Sequence, residues 1–212
     1  MTRTRAKICG ITSVDDAKVA VQAGADAIGL NRYPHSARYI SVQDAIDISE
    51  QVPAFVTKVA LFVNETAAEV KSFLDHVSVD LLQFHGDEDE AYCKQFDLPY
   101  IKVFKLESGA ELATRARHFP SSQGILVDSM VPGQQGGTGQ VFDWQGLADF
   151  DQPLILAGGL NKDNVSQAIA IVKPYAVDVC SGVESAPGVK DATKIKEFLA
   201  VIAAADRGSH YG

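Results

Sequence analysis

Pro153-Leu154-Ile155-Leu156-Ala157-Gly158-Gly159-Leu160-Asn161, followed by Ala176-Val177-Asp178-Val179-Cys180-Ser181-Gly182, decides the fold. Each stretch is a short apolar run that opens at once into glycine and then into polar residues. That is the pattern of a strand buried on both faces that leaves its sheet through a loop. Outward from here the same unit recurs along the chain. Ala6–Cys9 precedes a helix beginning near Ser13, Ala27–Leu30 one from about Ser41, and Lys58–Phe62 one around Thr66. Val79–Phe84 precedes an acidic helix start at Asp87-Glu88-Asp89-Glu90, a run explained by the positive end of a helix dipole without any ligand. Tyr100–Phe104 and Gly124–Asp128 are strands five and six. Strand seven, Pro153–Ala157, leads to a helix from Asn161 or Lys162, and strand eight, Ala176–Val179, to a closing helix from about Asp191 to Ala204.

Eight strand-then-helix units in 212 residues average about 26 each. Strict alternation implies parallel strands with right-handed crossovers, and eight of them predict a single-domain α/β (β/α)8 TIM barrel. A doubly wound open sheet is the structural alternative. The barrel is expected over residues 1–206, with Arg207–Gly212 as a frayed tail. The longest irregular piece, Ser129–Gln140, is expected to be a binding loop, with Gly136-Gly137-Thr138-Gly139 a flexible lid; it lacks the GK[ST] ending of a P-loop.

Composition narrows the function. Nineteen Lys and Arg against 27 Asp and Glu leave a formal charge of −8, a poor basis for nucleic-acid binding. No apolar run approaches the roughly 18 residues of a membrane span, and Met1–Arg5 does not lead into a secretory signal. Cys9, Cys93 and Cys180 are far apart, and His35, His76, His85, His118 and His210 form no two-ligand pair. No disulfide framework or structural metal is expected, and a cytoplasmic protein with reduced thiols is.

In such a barrel the site lies at the carboxyl ends of the strands. Cys9 ends strand one, Gln83 and His85 strand four, Asp128 strand six, and Asp178 with Ser181 strand eight. A free cysteine is usually a small buried hydrophobe, but the place of Cys9 at a strand mouth gives the reactive reading equal weight. Asp128 as a turn cap, His85 as a structural hydrogen-bonding residue and Arg38 as a surface ion-pair partner are the plain alternatives. Gly158-Gly159 and Ser181-Gly182 read together as a phosphate cradle, because both late loops carry glycines that let backbone N–H groups approach an anion.

In this order the segments Lys7–Thr12, Tyr33–Tyr39, Gln83–Gly86, Val127-Asp128, Gly136–Gly139, Phe142–Trp144, Ala157–Asn161, Val177–Glu184 and Pro187–Asp191 strongly resemble the phosphoribosylanthranilate isomerases of tryptophan biosynthesis. The resemblance covers essentially the whole chain. It implies an Amadori rearrangement of N-(5-phosphoribosyl)anthranilate to 1-(2-carboxyphenylamino)-1-deoxyribulose 5-phosphate, with no metal or organic cofactor. It also implies Cys9 as general base, Asp128 as general acid, and Arg38 against the anthranilate carboxylate. Gly158, Gly159, Ser181 and Gly182 match the phosphate cradle; Gln83, His85 and Asp178 match positions near the substrate. The expected partner is that phosphosugar anthranilate, bound by a monomer or homodimer, with no nucleic acid and no membrane.

The chain departs from the family pattern at Asn31-Arg32, where apolar or aromatic residues are usual, at Ala37 in place of proline, and at Cys180 in place of serine. The first puts charge where a strand meets the site, and so predicts reduced rather than lost activity. Three rival readings remain. The isomerase of histidine biosynthesis is expected to use a pair of aspartates, which Cys9 argues against. A non-catalytic phosphate-binding barrel is supported by Asn31 and Arg32 alone. A thiol hydrolase lacks an evident histidine partner.

Overall fold

The computed structural model describes residues 3–105, 109–128 and 152–208. Eight parallel strands close into a barrel in sequence order: β1 (Arg5–Ile8), β2 (Ala27–Asn31), β3 (Thr57–Phe62), β4 (Leu81–Phe84), β5 (Tyr100–Lys105), β6 (Ile125–Asp128), β7 (Leu154–Ala157) and β8 (Ala176–Val179). Closure is made by β1 and β8, with Lys7 opposite Asp178 and Ile8 opposite Val179. The barrel is thus selected over the open sheet.

The described helices are α1 (Val14–Gln22), α2 (Val42–Gln51), α3 (Ala67–Leu74), α4 (Glu90–Cys93), α5 (Gly109–Ala116), α6 (Val165–Val172) and α7 (Ala192–Gly208). Three begin as the sequence indicates, because a hydroxyl accepts an otherwise unpaired first-turn amide: Ser13 from Asp16 N, Ser41 from Asp44 N, and Thr66 from Glu69 N. Such caps contribute about 1 kcal/mol each. No described helix is long and apolar enough to cross a membrane.

Three expected starts and ends are corrected. Of the acidic run, only Asp89 caps α4, by accepting the Tyr92 amide; Glu88 is buried in an ion pair with Lys102 at 2.8 Å and takes the Asn64 and Gly86 amides. Helix α6 starts at Val165 rather than Asn161, because Asn161 Oδ1 accepts the Asp163 amide and Asn164 Oδ1 the Asn161 amide, which turns the chain first. Helix α7 extends to Gly208, beyond Ala204. The loop Ser129–Gln140 with its glycine run, Phe142–Trp144 and the final residues 209–212 lie outside the described residues.

The apolar interior falls into two parts. A large cluster fills the layer between strands and helices; within it Phe84, fully buried, touches the rings of Phe62, Tyr92, Phe96 and Tyr100. A smaller one, Ile101, Val103, Leu126, Ile155, Ala157 and Ala176 with Leu81 against it, plugs the barrel. Successive residues of a strand face opposite sides, so residues two positions on from these inward side chains form the next layer towards the carboxyl ends. There Gln83 and Asp178, two positions on from Leu81 and Ala176, and Lys7, the register partner of Asp178, bring buried polar groups in beside Val103 and Ala157.

Candidate active site

Above that polar layer the barrel opens into a cavity of about 460 Å³. Cys9, Arg38, Gln83, His85, Asp128, Gly158, Gly159, Asp178 and Ser181 all line it. Gly182 stands just behind, in the turn Ser181–Val183. A side chain there is excluded, since a Cβ on Gly182 would lie 2.0 Å from the carbonyl oxygen of Leu160; this close approach ties the loops after β7 and β8 together. Gly158 and Gly159 both adopt positive φ, 90° and 63°, the left-handed region where glycine is favoured. The expected helix N-terminus is not at this loop: α6 begins only at Val165, and Gly158-Gly159 and Ser181-Gly182 lie in loop and turn backbone.

The floor of the site is a buried ion pair. Lys7 Nζ donates to Asp178 Oδ1 at 2.9 Å, with both side chains under a tenth exposed. Burial opposes the lysine charge, but Asp178 and Cys9 outweigh it, and the Lys7 pKa lies above its ordinary value. Beside it, burial pushes the Cys9 thiol up; Asp178 adds to that and Lys7 pulls it back down. The crowding is made possible by Gly29 on β2. A Cβ there would lie 2.8 Å from Cys9 Sγ and 3.0 Å from Lys7 Nζ. Lys7 and Gly29 were not singled out from sequence. Their signal was the inward register shared with Cys9 and Asp178, a lysine and a glycine where a barrel strand usually packs bulk.

Across the cavity, Asp128 ends β6, and His85 Nε2 approaches its Oδ2 at 4.0 Å. Burial pulls the His85 pKa below its ordinary value against the opposing charges of Asp128 and Asp178. Gln83 Oε1 is a buried acceptor with no hydrogen-bond partner among the described residues, a group that a ligand hydroxyl or amine can satisfy. No described group of three or more His, Cys, Asp and Glu side chains is arranged to hold a metal.

Arg38 is a half-buried ion-pair partner. Glu184 accepts from its Nε at 3.2 Å and its Nη2 at 2.6 Å. Glu184 opens a hairpin of β9 (Glu184–Ala186) and β10 (Val189–Lys190), in which Lys190, directly opposite, donates to the same carboxylate at 2.8 Å. Burial works to raise the Glu184 pKa, yet Arg38 and Lys190 hold it down at about 2. Sequence reading missed both Glu184 and Lys190, whose carboxylate and ammonium are six residues apart and meet only because the hairpin folds.

The unusual Asn31-Arg32 pair does not put charge into the site. Arg32 turns outward, donating to Ile40 O and to Tyr39 OH at 3.0 Å, with its guanidinium over the rings of Tyr39 and Phe73. Asn31 does line the cavity, but as a neutral brace: its Oδ1 accepts the Tyr33 amide and its Nδ2 donates to Ser36 Oγ. The physical reason is strand alternation, which sends consecutive residues to opposite faces. The argument for impaired activity from misplaced charge therefore loses its basis.

Fold and site together define a (β/α)8 barrel whose cavity at the carboxyl ends of the strands holds a carboxylate, a thiol and two glycine loops. The sequence profile of the family N-(5'-phosphoribosyl)anthranilate (PRA) isomerase matches residues 6–201. The chain is 50% identical over 203 residues to the N-(5'-phosphoribosyl)anthranilate isomerase of Pseudomonas fluorescens strain Pf0-1, covering 94% of this chain and 98% of that one. The crystal structure of phosphoribosyl anthranilate isomerase from Thermotoga maritima superposes with a TM-score of 0.86 at 40% identity, over 95% of this chain and 99% of that one. A phosphoribosyl anthranilate isomerase in complex with reduced 1-(o-carboxyphenylamino)-1-deoxyribulose 5-phosphate does so at 0.84 and 38%, with the same coverage. The chain belongs to the N-(5'-phosphoribosyl)anthranilate isomerase family.

Three outcomes follow from these contacts. Lys7→Met strands the Asp178 carboxylate in the interior, so unfolding in urea is expected to show a loss of about 3–5 kcal/mol. The same variant should shift the pH profile of Cys9 alkylation upwards, since Lys7 lowers that thiol. For Glu184 the folded pKa of about 2 lies below the ordinary 4.5. Its stabilisation is complete above about 4.5 and disappears as the pH falls towards 2. Melting temperatures recorded down through that window should fall less steeply for Glu184→Gln than for the parent protein.

Proposed function

We propose that the protein catalyses the Amadori rearrangement of N-(5-phosphoribosyl)anthranilate to 1-(2-carboxyphenylamino)-1-deoxyribulose 5-phosphate, a step of tryptophan biosynthesis, in the cytoplasm and without a metal or organic cofactor. The observation that carries this reading is one cavity that holds Cys9, Asp128, Arg38 and the glycine loops after β7 and β8. A substrate with a phosphate at one end, a benzoate at the other and a sugar between needs that combination.

Asp128 in its acid form donates a proton to the furanose ring oxygen, which opens the ring to a Schiff base. Cys9 as thiolate then removes the proton from sugar C2, and the enolamine relaxes to the ketone. A base and an acid of opposite tuning must coexist in such a site. Lys7 beneath Cys9 supplies the positive charge that favours the thiolate. Asp128 keeps its place at the more open side, with about 30% of its side chain exposed.

Arg38 receives the anthranilate carboxylate. Glu184 already occupies its Nε and Nη2 edge, which leaves the edge formed by Nη1 and Nη2 to face the substrate. Gly158, Gly159, Ser181 and Gly182 receive the phosphate through backbone groups. Gln83, with its unsatisfied acceptor, and His85 and Asp178 at the cavity wall contact the sugar.

Turnover is read from loss of substrate fluorescence on freshly made N-(5-phosphoribosyl)anthranilate. Cys9→Ser and Asp128→Asn are each expected to lower kcat by about 10²–10⁴, while Arg38→Ala raises KM above all. A folded parent protein that binds a product analogue and turns nothing over would leave a binding barrel instead.

Of the two assembly states, the homodimer is the one the surface supports, and neither a nucleic acid nor a membrane is a partner in this reading. Phe55, fully exposed between α2 and β3, stands beside a cavity of about 340 Å³ at the amino ends of the strands, lined by Ala6, Ala27, Val59, Leu81, Ile101 and Ile155 among others. A second copy covers so exposed an aromatic ring. Sedimentation is expected to show a dimer for the parent chain and a monomer for Phe55→Glu; a monomeric parent removes the dimer.

A further inference from the structure

Cys9 does not stand alone at the mouth of the barrel. Lys7 and Asp178, register partners on β1 and β8, point to the same side and touch. The ladder continues through the Cys9 amide, which donates to Val179 O at 2.8 Å. Two residues beyond Lys7 and Asp178, on the same inward faces, come Cys9 and Cys180, and both line the cavity. Neighbouring strands lie about 4.8 Å apart, inside the span of roughly 4.4–6.8 Å that disulfides bridge between Cα atoms. Cys180 also leans towards β1: its Sγ lies 3.0 Å from the point where a Cβ on Gly10, the residue after Cys9, would stand. Each thiol has an ammonium for company, Lys7 at Cys9 and Lys190 Nζ at 3.7 Å from Cys180 Sγ. The third thiol, Cys93, is fully buried in the helix layer, far along the chain from both.

We propose that Cys9 and Cys180 form a reversible disulfide across the carboxyl end of the barrel when a hydroperoxide reaches the cavity. The Cys9 thiolate attacks one peroxide oxygen, the O–O bond breaks, and Cys9 becomes a sulfenic acid with release of hydroxide or alkoxide. Cys180 sulfur then attacks the Cys9 sulfur, the S–O bond breaks, and the hydroxide leaves with the Cys180 proton as water. Both sulfurs are oxidised by one electron overall, and the peroxide is the oxidant. Burial raises both thiols, and the cation beside each, Lys7 at Cys9 and Lys190 at Cys180, pulls it back towards the thiolate. The bond itself is independent of the reaction the site performs. Its consequence, a silent enzyme until a thiol reductant restores it, rests on Cys9 as the base.

The full-length protein is treated with hydrogen peroxide, and free thiols, peptide masses and turnover are followed before and after dithiothreitol. The expected result is a loss of two of the three thiols, a peptide linking Cys9 to Cys180, and turnover that dithiothreitol restores. Cys180→Ser, or Cys180→Ala should the serine variant not fold, is expected to give no linked peptide and an irreversible loss, because the sulfenic acid at Cys9 goes on to sulfinic acid. Parent protein that keeps both thiols, oxidises each separately, or inactivates as irreversibly as the Cys180 variants overturns the proposal. A linked peptide with turnover intact upholds the disulfide and removes Cys9 from the role of base.

Discussion

An ammonium–carboxylate contact, Lys7 with Asp178, sits beside Gln83 inside a barrel whose lower layers are hydrocarbon. Removing two charges from water costs several kcal/mol per ion, and attraction offsets this only where geometry is tight. Here the geometry is enforced by the closure of β1 against β8, which makes the two residues register partners. The pair marks the level at which the barrel stops being a packed core and becomes a site. It also requires space that β2 provides by having Gly29 where other strands carry a side chain. Pair, glycine and thiol are therefore one unit, and a change to any one is felt by the other two.

A second electrostatic unit works at the rim. Glu184 gathers Arg38 from the loop after β2 and Lys190 from its own hairpin, so that two loops remote in sequence are held by one carboxylate. Nearby, Thr12 Oγ1 donates to Gly188 O, which binds the loop after β1 to the same hairpin. A chain with a net charge of −8 can in this way present a cationic edge to an anionic ligand. Local arrangement, rather than the sum of charges, sets the potential that a ligand meets. The neutral brace of Asn31 and the outward course of Arg32 belong to the same arrangement, since they shape the loop that carries Arg38 without adding a second charge to the cavity.

What the sequence by itself determined was the order of elements and the ends at which chemistry gathers. Strand and helix periodicity, hydroxyl caps at Ser13, Ser41 and Thr66, and glycines after strands seven and eight are local signals, decided by backbone sterics and nearby side chains. Eight such units leave few ways to close a parallel sheet, so the residues at the strand ends, from Cys9 to Ser181, could be named before any coordinates. The tertiary structure alone decided which of them touch, and through what. Lys7 and Asp178 are separated by 171 positions, and Arg38 and Glu184 by 146, so no local pattern announces either pair. The same holds for Glu88, which a local reading assigns to a helix dipole and the fold assigns to Lys102, and for Arg32, whose direction follows from the pleat of β2. Charges buried far apart in sequence are stabilised only by partners that the closed barrel brings near, and that closure is a property of the whole chain.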